Sequence, residues 1–126
     1  MTYRVIVTGS RDYSDFEMVD AMLYNAWLDN VGPKSKDKIV VVTTNAVGAA
    51  RLAGKSASEN GDVTILEVHA PDYSIKGNAQ TAEIDNNREM LDAGADLVLA
   101  FGKPDPISVH LVTEAQALGI PVRGYP

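Results

Sequence analysis

The sequence predicts an α/β domain built in three layers, a mostly parallel sheet of about five strands with helices on both faces. Short β-branched runs alternate along the chain with longer segments of helical period, the pattern of strands joined by crossover helices. The first of these runs, Val5-Ile6-Val7, is apolar without interruption, as a strand covered on both sides is. At 126 residues the chain matches the roughly 100 to 200 residues of one domain. The expected organisation is therefore one domain over residues 1–126.

Arg4–Thr8 is the first expected strand, stopped by Gly9. A helix follows from Ser14, where Ser14 and Glu17 have capping-box spacing and Phe16, Val19, Leu23, Ala26 and Trp27 recur on one face. Gly32-Pro33 ends that unit. Lys38–Val42 is the second strand, and the second helix runs from Ala46 to about Asn60, its small residues allowing close approach to the sheet. Val63–Val68 is the third strand. After a Pro71–Gly77 loop comes a helix from Ala79 to Ala93, closed by Gly94 at the position after its cap. Asp96–Phe101 is the fourth strand. Asp105 then reads as an N-cap with Pro106 at the first helical position, opening a helix to Leu118; Gly119 and Pro121 lead into a last short strand near Val122.

Composition narrows the function. With 17 acidic against 11 basic side chains the formal charge is -6, so a nucleic acid would meet net repulsion. Residues 1–63 hold 8 acidic and 7 basic side chains and residues 64–126 hold 9 and 4, placing the excess in the second half. The chain has no cysteine, which excludes disulfides, thiolate metal sites and a cysteine nucleophile. No apolar run approaches the roughly 20 residues of a membrane span. A cytoplasmic protein with neither nucleic acid nor membrane as partner is expected.

In an open parallel sheet the ligand crevice lies beyond the carboxyl ends of the strands, where strand order reverses. Three loops are candidates. The first, Thr8 to Tyr13, offers Gly9 for a tight turn, the Ser10 hydroxyl, the Arg11 guanidinium for a phosphate or carboxylate, and the Asp12 carboxylate for a ribose diol or a base edge. A surface turn in which Arg11 pairs with Asp12 is the plain alternative. The second places Thr43, Thr44 and Asn45 just before a helix, where backbone N–H groups would face an anion, with Gly48 a further candidate ligand contact. The third contributes Gly102 and Lys103, beside an Asp105 cap that would occupy the donors of its helix.

Candidate catalytic groups are few. Asp12 and His69 could serve as acid or base, and Arg88 could reach a ligand, although an Arg88–Asp92 pair is the alternative use. His69 follows the third strand and is also readable as a loop histidine held by backbone; His110 reads as solvent-side. Glu83 and Asp85 are two apart on a helix and diverge, which suggests a solvated face. Neither histidine has metal-ligand spacing, so no metal site and no cofactor are expected.

The segments Val5 to Tyr13, Gly48 to Ala53, Asn87 to Phe101 and Leu118 to Val122 resemble the YspA/YpsA-related branch of the SLOG superfamily, and the likeness spans nearly the whole chain. The resemblance implies a Rossmann-like fold that binds nucleotides or nucleotide-derived ligands. LOG relatives are phosphoribohydrolases of nucleoside monophosphates, and DprA relatives bind single-stranded DNA. It adds Asn87, at the position of the family's asparagine. The chain also departs from the pattern. Thr43-Thr44-Asn45 stands for a His-Gly-Gly stretch, Gly48-Ala49-Ala50 for Gly-Ala-Asp, Asn86-Asn87 for an Arg-Asn pair, and Pro104 to Ser108 for a glycine-rich segment ending in Gly-Thr. Leu111 occupies the position of the LOG glutamate.

The expectation is a small nucleotide-like ligand bound without robust catalysis, in a homo-oligomer of phage or mobile-element look. A nucleotide hydrolase and a protein-interaction module with a vestigial site are the alternatives.

Overall fold

β1 (Tyr3–Gly9) lies at the centre of a five-stranded sheet because both of its faces are apolar, Val5 and Val7 on one side and Ile6 on the other. In the computed structural model, which describes residues 2–74 and 77–126, the remaining elements are α1 (Phe16–Asn30), β2 (Ile39–Thr43), α2 (Ala49–Glu59), β3 (Thr64–Val68), α3 (Ala79–Asp92), β4 (Leu97–Phe101), α4 (Pro106–Ala117) and β5 (Val122–Tyr125). The spatial order is β3-β2-β1-β4-β5 and every pairing is parallel. The predicted α/β architecture, with helices on both faces, is the architecture observed. The expected Pro71–Gly77 loop includes residues 75 and 76, which lie outside the described residues.

The two faces hold separate cores. Val5, Val7, Ile39, Val41, Leu97, Leu99 and Phe101 pack against Val19, Leu23, Ala26 and Trp27 of α1 and the alanines of α2. Ile6, Val40, Val42 and Val98 pack against Met90 and Leu91 of α3 and Leu111 and Ala115 of α4. α2 buries Ala49, Ala50, Ala53, Gly54 and Ala57, so its backbone sits close to the sheet. The Ser56 hydroxyl donates to Asp20 Oδ1 at 2.6 Å and ties α2 to α1.

Several boundaries shift for local reasons. α1 is capped by Asp15, whose Oδ1 accepts from Met18 N at 3.1 Å, and not by Ser14. A carboxylate satisfies the same orphan donor and adds charge that the helix dipole favours. Phe16 lies only partly buried beneath the Lys55 ammonium, 4.2 Å from the ring centroid. α2 starts at Ala49 and not at Ala46, because Asn45 (φ 63) and Gly48 (φ 94) hold left-handed backbone that cannot belong to the helix. α4 follows the expected cap: Asp105 Oδ1 accepts from Ile107 N at 3.1 Å and Ser108 N at 2.8 Å, and Asp105 N donates to Ser108 Oγ at 3.0 Å.

Strand order reverses between β1 and β4. Their neighbouring carboxyl ends, with the loops that follow them, form the switch point at which such sheets open a crevice. An aromatic row fixes this end: Phe101 lies between Tyr13 (ring centroids 5.4 Å apart) and Tyr125 (5.1 Å).

Candidate functional site

Close backbone contact builds the floor of the crevice. A Cβ on Gly9 would fall 2.2 Å from Phe101 O, so only glycine lets β1 end against β4, where Ser10 N donates to Phe101 O at 3.0 Å. A Cβ on Gly48 would fall 2.2 Å from Ser10 O and 2.7 Å from Arg11 Cα. Ala49 N donates to Ser10 O at 3.3 Å. The second loop therefore docks on the backbone of the first, and Gly48 provides the space for protein backbone.

The crevice has two compartments. An inner cleft of about 50 Å³ is lined by Thr8, Gly9 and Arg11 from the first loop, Thr44 and Ala50 from the second, Tyr73, and Glu83, Asn86 and Asn87 of α3, with Asp105 and Ser108 at the start of α4. That space suits a few water molecules. An outer groove of about 710 Å³ is bounded by Ser10, Arg11, Asp12, Gln80, Glu83, Lys103 and Asp105. Arg11 and Glu83 belong to both. They form an ion pair of 2.9 Å across the opening, and the Tyr73 hydroxyl donates to the same Glu83 Oε1 at 3.0 Å. Burial first, and the Glu83 carboxylate second, push the Tyr73 hydroxyl above its ordinary pKa.

The candidates from the sequence divide accordingly. Gly9, Arg11, Thr44 and Asn87 line the inner cleft, and Ser10, Arg11, Asp12 and Lys103 the outer groove. Arg11 pairs with Glu83 and not with Asp12, which accepts from the Ser10 hydroxyl at 2.7 Å. Thr43 lies fully buried beneath the site, its hydroxyl donating to Ala50 O at 2.8 Å. Asn45 is exposed beyond the cleft lining, and Gly102 faces an apolar groove beside β5. The Asn45 and Ala46 amides bond to the Thr43 and Thr44 hydroxyls, each at 3.3 Å, so these donors are used within the loop.

The catalytic candidates are dispersed. His69 lies outside both compartments: its Nε2 is 2.6 Å from Glu67 Oε2, its N–H donates to Thr43 O at 2.9 Å, and Glu67 also pairs with Arg4. Hydrogen bonds from Arg4 and then His69 hold the Glu67 carboxyl down to about 2. Arg88 turns to Glu114 at 3.2 Å, not to Asp92 and not to the cleft. His110, expected at the solvent, is packed between α3 and α4. Its Nδ1 is 3.1 Å from Asn87 Nδ2 and its Nε2 is 3.2 Å from Glu114 Oε1, without hydrogen-bond geometry. Among the described residues no cluster of three His, Asp or Glu side chains is placed to hold a metal, and no helix is long and apolar enough to cross a membrane.

Two site residues were missed in the sequence. Glu83, expected on a solvated face, has a side chain only 11% exposed because loops on either side close over it. Asn86 is 3% exposed; its Nδ2 donates to His69 O at 2.6 Å, and its Oδ1 is buried with no partner among the described residues. The His69 carbonyl fixes the amide's orientation, since the flipped amide would set oxygen against oxygen. Such an unsatisfied acceptor costs about 1–3 kcal/mol.

Fold and crevice define a Rossmann-like α/β protein with an open site at its switch point. No family model matches the chain. It is 35% identical over 126 residues to the Gene 61 protein of Mycobacterium phage D29, an alignment covering 97% of this chain and 95% of that protein. The chain belongs to the family of that Gene 61 protein, and the relative is a phage protein, as the sequence suggested.

Proposed function

We propose that this protein is a divergent SLOG-like module that binds a small nucleotide or nucleotide-derived ligand in the switch-point crevice, without robust catalysis. The carrying observation is the arrangement of that crevice. The Thr8–Asp12 loop brings Arg11 to its opening, Lys103 faces it across the outer groove, and polar α3 side chains line the depth. Arg11 and Lys103 supply positive charge for a phosphate or similar anion, while hydroxyl, amide and carboxylate groups suit a sugar or a base. Asp105 caps α4, so the anion is held by side chains and not by that helix terminus. The scattered positions of Asp12, His69 and Arg88 favour binding over hydrolysis.

A thermal-shift screen with adenosine and guanosine phosphates, ADP-ribose and cyclic nucleotides tests the reading. A ligand at 100-fold excess over its Kd stabilises by about 2.7 kcal/mol, and Arg11→Ala reduces the shift. If no compound stabilises the wild type more than Arg11→Ala, the reading fails. Release of free base from a nucleoside monophosphate, lost in Asp12→Asn, would favour the hydrolase instead.

Self-association fits the β3 edge better than the α1 face that carries Trp27. Trp27 is core, with Nε1 donating to Asp37 O at 3.2 Å, whereas Ile65, Leu66 and Val68 are 52%, 37% and 47% exposed on an edge strand.

A further inference from the structure

We infer that the Arg11–Glu83 ion pair is a placeholder for the ligand, and that the site selects a nucleotide whose base presents adjacent N–H donors, as guanine does. The inference rests on the nucleotide-binding reading above and specifies its chemistry. Two acceptors define the α3 wall. Asn86 lines the inner cleft, and with its nitrogen turned to His69 its buried oxygen, without a partner among the described residues, is the acceptor the amide has left. Glu83 lines both compartments and presents a carboxylate whose Oε1 takes the Arg11 and Tyr73 bonds. Acceptors of this kind are satisfied by N–H donors, and a carboxylate matches the paired N1–H and 2-amino donors of guanine. The Ala50, Val47 and Ile107 side chains give the same cleft apolar surface for a flat ring.

The inner cleft, at about 50 Å³, admits no base while the pair is closed. Opening it joins the cleft to the outer groove and separates two charges, of which the enclosed Glu83 carboxylate, 11% exposed, loses more than the Arg11 guanidinium, 68% exposed. A nucleotide supplies both with partners at once, phosphate to Arg11 and ring donors to Glu83 and Asn86. Inorganic phosphate would leave Glu83 without its cation, and a nucleoside would leave Arg11 without its anion, so each half alone binds against the cost of the broken pair.

Calorimetric titration of GMP, IMP, AMP, guanosine and inorganic phosphate into the full chain tests this. GMP is expected to bind at least about tenfold more tightly than IMP, which lacks the 2-amino group, or AMP. Glu83→Gln should raise affinity for inorganic phosphate about three- to fivefold by freeing Arg11, while erasing the preference for GMP over IMP. Arg11→Ala should weaken GMP yet strengthen guanosine. Opposite signs for the two halves of the ligand are not expected from misfolding, and unchanged melting curves for both variants confirm that they fold. Equal binding of GMP, IMP and AMP, or variants that weaken phosphate and guanosine alike, would overturn the inference and leave nucleotide binding standing. No binding of any nucleotide would overturn both.

Discussion

Replacing Gly48 by alanine tests the docking of the second loop on the first. An L-residue in the left-handed region costs about 1–2 kcal/mol, and Gly48 sits at φ 94. The added Cβ would also stand 2.2 Å from Ser10 O and 2.7 Å from Arg11 Cα, so both loops must separate. Adding the lost Ala49 N–H to Ser10 O contact, we expect a destabilisation of about 3 kcal/mol. For a chain of this length that corresponds to roughly 10 °C in Tm. Thermal unfolding followed by circular dichroism measures it. Gly61→Ala is the control, since a Cβ there meets nothing within 4 Å. If Gly48→Ala melts with the wild type, Gly48 is not held by protein backbone, and a role in receiving a ligand's phosphate regains its footing.

The other expectations concern separate parts of the fold. Glu67 has its pKa depressed to about 2 from 4.5, so its contribution is complete above 4.5 and disappears as pH falls toward 2. With a side chain 35% exposed and screened by solvent, the stability at stake is on the order of 1 kcal/mol. Over that window Glu67→Gln should lose less stability than the wild type in urea unfolding, and parallel pH profiles would contradict the assignment. Thr43→Val should cost about 1–2 kcal/mol by removing the hydroxyl's bond to Ala50 O and the bond it accepts from Asn45 N, with a neutral result in the same assay showing the hydroxyl to be dispensable. Asp105→Ala should cost about 1–2 kcal/mol through the lost cap and, by removing a carboxylate from the outer groove, tighten phosphate binding; weaker phosphate binding would contradict the charge argument. Ile65→Lys should shift light-scattering mass toward the monomer if the β3 edge pairs copies of the chain.

The strands were legible because apolar runs such as Val5-Ile6-Val7 can only be buried on both faces, and the start of α4 because Asp105-Pro106 combines two independent cap signals. The site was legible only as far as its loops. Arg11 reads as an anion ligand in sequence, but its partner Glu83 comes from a helix 72 positions away, and spacing within that helix describes only its own neighbours. Asn86 carries no signal in sequence, because what marks it is a missing partner. His110 read as solvent-facing until Asn87 of α3 closed on it. Gly48 read as a phosphate contact until the backbone of the first loop occupied the same space. In each case a contact between elements decided what the local pattern left open.

The central claim is that a nucleotide occupies the crevice between the ends of β1 and β4. Titrating the isotope-labelled protein with GMP while recording amide spectra tests it most directly. The account predicts saturable shifts at Gly9 to Asp12, Gly102, Lys103 and Asp105, together with the Asn86 side-chain amide. Saturable shifts confined to other surfaces, or none at millimolar nucleotide, would contradict it.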